Sequence, residues 1–176
     1  MTAPTMSSLS RLLVLLALVL VTGVAALASS SSASRGWNDS IEWVKPKEFD
    51  ISINTKPIVY LFHKTWCGAC KQFKASMNSG SKDVEDVVDF SKRFTMVNIE
   101  DDEAAPFGQE FSPDGGYIPR VIFAKPDGTP VKGLKNDGGN PRFKYFYSNP
   151  LELRRAMRNA LDEMTPDWRN EGKTEL

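Results

Sequence analysis

Apolar residues along this chain come in short unbroken runs and in spaced stripes, and the two patterns predict different elements. Ile58-Val59-Tyr60-Leu61-Phe62 and Val121-Ile122-Phe123-Ala124 are continuous and rich in β-branched and aromatic residues, so each predicts a buried strand. Phe94-Thr95-Met96-Val97-Asn98-Ile99 predicts another, closed by the acidic run Glu100 to Glu103, which reads as a solvated loop without function. Phe73 and Met77, four apart, continue a helix that follows Cys70 and stops near Ser79-Gly80. Ser81 caps a second helix whose apolar face is Val84, Val87 and Val88, with Asp83, Glu85 and Asp86 near its positive end. Leu153, Met157, Ala160, Leu161 and Met164 form a third stripe, with Arg154, Arg155 and Arg158 outside it. Asn149 caps this helix, Pro150 takes its first position, Glu152 sits three after the cap, and Thr165-Pro166 ends it.

Other stretches carry weaker patterns. Lys47 to Asn54 predicts a short helix, broken by Lys56-Pro57. Pro126-Asp127-Gly128-Thr129 predicts a tight turn, because Gly supplies a positive φ, and Pro130 to Leu134 then returns as a short partner strand. Asn136 to Pro141 is a Gly/Asn loop, and Phe143 to Tyr147 alternates too little to assign. Ser29 to Gly36 is Ser-rich and predicts a disordered linker. There is no internal repeat. The order helix, strand, helix, helix, strand, strand, strand, helix predicts one α/β domain with a mixed sheet and helices on both faces.

The chain ends add an address. Arg11 precedes the apolar run Leu12 to Val21, and Ala26-Leu27-Ala28 fits a cleavage site, so residues 1–28 read as a signal peptide. A membrane anchor is the alternative; the stretch from Leu12 to Ala28, interrupted by Thr22 and Gly23, falls short of the usual ~20 residues. The terminal Lys173-Thr174-Glu175-Leu176 resembles the K-D-E-L retrieval signal with Thr in place of Asp. Together they predict the endoplasmic reticulum lumen, a retrieval receptor as a partner through the tail, and no membrane association after cleavage. There Asn38-Asp39-Ser40 is a glycosylation sequon. The 22 basic and 22 acidic side chains balance, which argues against nucleic acid or an anionic membrane as partner.

Both cysteines of the chain sit in Trp66-Cys67-Gly68-Ala69-Cys70-Lys71, where a buried strand turns into the first turn of a helix. Unpaired N–H groups and the positive end of the dipole there favour a thiolate, so the pair reads as a redox dithiol. Zinc needs four ligands, and two Cys with one His do not supply them; no metal is expected. Haem attachment needs His where Lys71 stands. An inert disulfide would close so short a loop that it gains little stability.

These residues, with the later Ile118-Pro119, resemble the thioredoxin active-site motif and its cis-proline loop, over a span from about Trp43 to Met164. His63-Lys64-Thr65-Trp66-Cys67-Gly68-Ala69-Cys70, Phe111 to Arg120, and Asn140-Pro141 followed by Lys144-Tyr145-Phe146-Tyr147 are similar to the small endoplasmic-reticulum thioredoxin-like proteins of the anterior gradient subfamily, in the protein disulfide isomerase family. The resemblance implies a thioredoxin-like fold over residues 43–164, with 29–42 as a flexible linker and 165–176 as a tail. It also implies thiol–disulfide oxidoreductase activity on secretory-pathway clients bearing thiols or disulfides. No cofactor is implied beyond redox exchange with glutathione or another thiol–disulfide protein. Anterior gradient members replace one active-site Cys; this chain keeps both, as the catalytic branch does.

Exchange chemistry then assigns Cys67, exposed at the helix start, as nucleophile and Cys70, one turn in and buried, as resolving thiol. Pro119, expected cis, would lie opposite Cys67 and present the backbone of Ile118 to an extended substrate. Trp66 reads first as packing on the motif, with substrate contact as the alternative. Gly68, Ala69, His63 and Lys64 are the candidate redox-tuning residues. Two departures matter: Leu61 stands where relatives have a buried carboxylate, and Ala69 where the isomerases have His. The alternative function is a chaperone that traps clients as mixed disulfides, with the loops from Asp101 to Tyr117 and from Lys135 to Arg142 as its surface.

Overall fold

A computed structural model describes residues 33–170; the leader expected at 1–28 and the retrieval signal expected at Lys173 to Leu176 lie outside them. The described residues contain four strands, β1 (Trp43–Val44), β2 (Ile58–His63), β3 (Thr95–Glu100) and β4 (Arg120–Ala124), in the order β1-β3-β2-β4. β3 runs parallel to both β1 and β2, and β4 runs antiparallel to β2. Helices α1 (Gly68–Met77), α2 (Lys82–Ser91) and α3 (Pro150–Met164) start and stop where the stripes predict. Ser81 Oγ accepts from Val84 N at 3.4 Å and Asn149 Oδ1 from Glu152 N at 3.0 Å, so both caps are made. The Glu152 carboxylate reaches one residue past the cap and accepts from Ser148 N.

Strand alternation divides the core in two. Val59, Leu61, Met96, Val121 and Phe123 face Phe73 and Met77 of α1, Val87 of α2, and Leu153, Met157 and Leu161 of α3. Ile58, Tyr60, Phe62, Val97, Ile99 and Ile122 face the other way. Among the described residues the helical cover on that second face is 3-10: the turns Asp101–Ala104 and Gln109–Phe111 bring Phe107 and Phe111 edge-on to Tyr60 and Phe62.

Four local expectations change. The linker expected at 29–42 is ordered from Ala33 onward: Ala33, Trp37 and Ile41 are buried in the core. Trp37 meets Phe73 edge-on at 5.2 Å, and its carbonyl accepts from Trp43 Nε1 at 2.8 Å. The domain therefore begins before Trp43. The helix expected over Lys47 to Asn54 is two 3-10 turns, Pro46–Glu48 and Ile51–Ile53. Pro130 to Leu134 is not a strand; a bridge at Ala124–Pro130 and Val131 N to Phe123 O begin one, and Leu134 N then turns back to Val131 O. The turn before it forms as expected, with Gly128 at φ 86° and a Cβ there running into Ile51. Finally, the acidic run is structural: Glu103 pairs with Arg35, and Asp101 bonds Thr65.

Half-buried Asn38 ties this N-terminal segment to the end of α1, its Nδ2 donating to Met77 O at 2.8 Å. Trp37→Ala should lower unfolding free energy by about 3–5 kcal/mol, the usual cost of emptying a buried aromatic site. Urea denaturation measures it; an unchanged midpoint would show that the segment adds nothing to the domain.

Candidate active site

The chain reaches the cysteines from the C-terminal end of β2. Lys64 O accepts from Cys67 N at 3.2 Å, closing a turn that points Cys67 at the start of α1. Asp101, just past the parallel strand β3, holds that turn from outside: its carboxylate accepts from Thr65 N at 3.0 Å and Thr65 Oγ1 at 2.9 Å. The Thr65 backbone bond, foremost, holds the Asp101 carboxyl below its usual range. Asp101 adopts φ 50°, a left-handed conformation. Lys64 Nζ donates to Asp101 O at 2.8 Å and lies 3.8 Å from Asp102, so its charge faces the acidic turn.

Cys67 is the N-cap of α1, with Sγ accepting from Cys70 N at 3.2 Å. An N–H aimed at sulfur on the positive end of a helix stabilises negative charge there. Sγ also lies 3.8 Å from Ile118 O as a thiol donor. This loop covers Cys67, which is 7% exposed rather than open as expected, while Cys70 is 1% exposed. Burial first, and the Cys67 sulfur next, push the Cys70 thiol up to about 12, against an opposing backbone bond from Lys64. The two sulfurs therefore have unequal surroundings: one is capped by N–H at a rim, the other is sealed beneath it. The Ile118–Pro119 peptide is cis, as expected.

Trp66 does not pack on the motif: it is 73% exposed. Gly68 is exposed and a Cβ there would meet nothing within 4 Å, so space does not require glycine. Ala69 is half-buried. Leu61 lies in the apolar core facing α1, and no carboxylate takes its place on that strand.

His63 is buried on the Leu61 face of β2, its ring 5.3 Å from Trp37. Asn98 Nδ2 donates to Ala33 O and Ser34 O, which leaves Oδ1 to accept from His63 Nε2 at 2.6 Å and assigns the proton to that nitrogen. Nδ1 finds no hydrogen-bond partner among the described residues and lies 3.8 Å from Glu100 Oε1. That separation has ion-pair geometry, yet burial dominates and lowers the His63 pKa to about 4, with the Asn98 bond opposing. His63 is thus neutral near pH 7 and offers the dithiol no cation.

Residues not singled out from the sequence complete the site. Arg120, 5% exposed, donates to Phe111 O and Tyr117 O at 2.8 Å each and stacks 4.6 Å over Phe62, fixing the loop before Pro119. Arg35 makes a two-pronged pair with Glu103, and Glu103 in turn accepts from Glu100 N. A polar residue in a buried strand position, as at Asn98 and Arg120, is the signal that marks them.

The Thioredoxin family profile matches residues 40–142. Anterior gradient protein 1 of Xenopus laevis is 34% identical over 134 residues, covering 72% of this chain and 67% of that protein. The chain belongs to the thioredoxin family, with the anterior gradient proteins among its relatives. Human anterior gradient protein 3 is 28% identical over 132 residues, spanning 73% of this chain and 75% of that one. Among solved structures, the first thioredoxin domain of mouse protein disulfide-isomerase A4 is similar at 20% identity and a TM-score of 0.46, over 74% of this chain and 80% of that domain. Within the thioredoxin frame, the cysteines, the Ile118–Pro119 loop and the β2 end come together at one site, while Lys64 and His63 are turned to other partners.

The neutral His63 makes acid stability a direct test. Its folded pKa of about 4 lies below the unfolded 6.5, so the unfolded chain binds more protons between these values. Its contribution is complete above pH 6.5 and is lost as pH falls toward 4, amounting to roughly 3 kcal/mol. His63→Gln should flatten the stability–pH slope between 6.5 and 4.5 in chemical denaturation. An equal slope in both proteins would mean the imidazole is not held neutral.

Proposed function

We propose that this chain is a thiol–disulfide oxidoreductase of the endoplasmic reticulum lumen that reduces, forms or isomerises disulfides in secretory-pathway clients. The observation that carries the reading is the paired geometry of the sulfurs: Cys67 capping α1 through Cys70 N and facing Ile118 O, above a sealed Cys70. In reduction, the Cys67 thiolate attacks one sulfur of a client disulfide. That S–S bond breaks, a Cys67–client bond forms, and the other client sulfur leaves as thiolate. Cys70 gives up its proton and attacks Cys67, releasing the second client thiol and leaving a Cys67–Cys70 disulfide. Two electrons pass to the client. The reverse sequence oxidises a client dithiol, and glutathione or another thiol–disulfide protein resets the pair.

Ile118 takes part through its backbone. Its carbonyl accepts from the Cys67 thiol, and a thiolate or mixed disulfide has no proton to give it. The acceptor then serves an N–H of an extended client chain. Trp66, exposed beside Cys67, is a contact residue on the same rim. Burial pushes the Cys70 thiol up, and Leu61 supplies no carboxylate to take its proton. A trapping chaperone needs no second thiol under the first, so Cys70 favours turnover.

Cys67→Ser should abolish disulfide reduction, whereas Cys70→Ser should accumulate mixed disulfides that run as higher-mass species on non-reducing gels. Turnover by Cys70→Ser at the parent rate would remove the resolving role. The lumenal address rests on the leader and on Lys173-Thr174-Glu175-Leu176. Deleting these four residues should move the protein from cells into medium, read by immunoblot; unchanged retention would point to another anchor.

A further inference from the structure

We propose that a pocket beside Ile118 selects clients by a large apolar side chain, aromatic or leucine-sized, within two residues of the client cysteine. The proposal rests on the function proposed for the dithiol. Tyr117, Ile118, Asn140, Phe143 and Phe146 line a cavity of about 340 Å³. Ile118 belongs to both places: its side of the loop walls the cavity, and its carbonyl meets Cys67 Sγ at 3.8 Å. A client extended along this loop advances only ~3.3 Å per residue, with side chains alternating between faces. A residue adjacent to its cysteine, or next but one, therefore comes over the cavity mouth.

The chemistry of the walls fixes the kind of side chain. Four of the five lining residues are apolar or aromatic. Asn140 is the amide among them, and its Oδ1 is already taken by Arg142 N at 3.0 Å. Beyond the Asn140 amide N–H, these side chains offer an entering polar group few partners to replace its lost water. Phe143, on the cavity wall, is 40% exposed, and Trp66, next to Cys67 in the chain, is 73% exposed. Exposed apolar surface gathered around a reactive atom marks a contact surface.

The pocket is also built before a client arrives. The Asp114 carboxylate accepts from Tyr117 Oη and, at 2.7 Å, from Lys144 N. Tyr117 Oη accepts from Tyr145 N at 2.9 Å. These bonds clamp the loop before Pro119 to the segment carrying Phe143, and the Tyr117 and Phe143 rings meet edge-on at 5.0 Å. Walls already held in place spare the client the cost of ordering them.

The test uses the full mature chain carrying Cys70→Ser, so that only Cys67 reacts. Short single-cysteine peptides capped with nitrothiobenzoate vary in the flanking residue: Phe, Leu, Ser or Asp. Cys67 attacks the peptide sulfur, the S–S bond breaks, and the coloured thiolate released reports the rate. Each rate is divided by that of glutathione capped in the same way, which cancels differences in Cys67 reactivity. Phe and Leu peptides should react about tenfold faster than Ser and Asp peptides, and Phe143→Ala should bring that ratio near one. Equal normalised rates across the series, or a preference that survives Phe143→Ala, would overturn the pocket. If capped glutathione fails to react at all, the exchange reading falls instead. The pocket is then judged by NMR with the same peptides carrying Ser for Cys: shifts at Tyr117, Ile118 and Phe143 with the Phe peptide alone support it, and none overturns it.

Discussion

The parallel pairing of β2 with β3 is the constraint on which the rest of the molecule hangs. Six residues pair in register, from Ile58 with Thr95 to His63 with Glu100, and the two strands end side by side. The chain leaving each strand must therefore emerge at the same edge. Lys64-Thr65-Trp66-Cys67 leaves β2 there, and Asp101 leaves β3 beside it. Shift the register by one and Asp101 no longer reaches Thr65, Asn98 turns away from His63, and both inner faces invert. The Cys67 sulfur is placed by a ladder of backbone bonds that ends several residues before it. Sites at the carboxyl ends of parallel strands recur for this reason: the strands are rigid and the loops between them converge.

Buried polar groups then tune the site that the ladder has placed. Asn98 spends its amide on two carbonyls of the N-terminal segment and its oxygen on His63, so one side chain fastens an incoming chain end and fixes an imidazole. Arg120 does the same on the opposite face, holding two carbonyls of the loop that carries Ile118 while resting on Phe62. Each finds hydrogen-bond acceptors or donors close at hand, which is what lets a polar group sit in a sheet at small cost. Charge near the dithiol is handled by pairing: Lys64 is drawn to the acidic turn, and His63 stays neutral. The asymmetry between the sulfurs is left to the helix terminus and to burial.

How much of this is legible in the sequence depends on range. Strands β2, β3 and β4, the helices and their Ser81 and Asn149 caps are readable, because each is written by neighbours within a few residues. So is the dithiol, since two cysteines between a strand and a helix have few other uses. Trp37 and Ile41 are hidden: their spacing amid serines and charges has no local period, and their burial in the core involves residues far along the chain, such as Phe73 against Trp37. The acidic run misleads for the same reason, as the partners Arg35 and Thr65 that turn it from a solvated loop into a brace are remote in sequence. Pro130 to Leu134 fails as a strand because one bridge and one bond do not outweigh the turn back at Val131. Trp66 departs from its expected packing because an exposed indole is the exception among aromatics, and no local pattern in the sequence marks it.

Asn38 carries a consequence for the order of events in biosynthesis. The Nδ2 atom that would receive a sugar is the one that grips Met77 O, and the residue is already half-covered by the packed N-terminal segment. A glycosyltransferase needs that atom free and the backbone around it extended and accessible. The folded corner holds Nδ2 on Met77 O, so any modification at this sequon would have to precede closure of the domain. A chain that folds first keeps its anchor and is closed to the enzyme. A chain modified first enters folding with a bulky substituent at the seam between its opening segment and the cysteine-bearing helix.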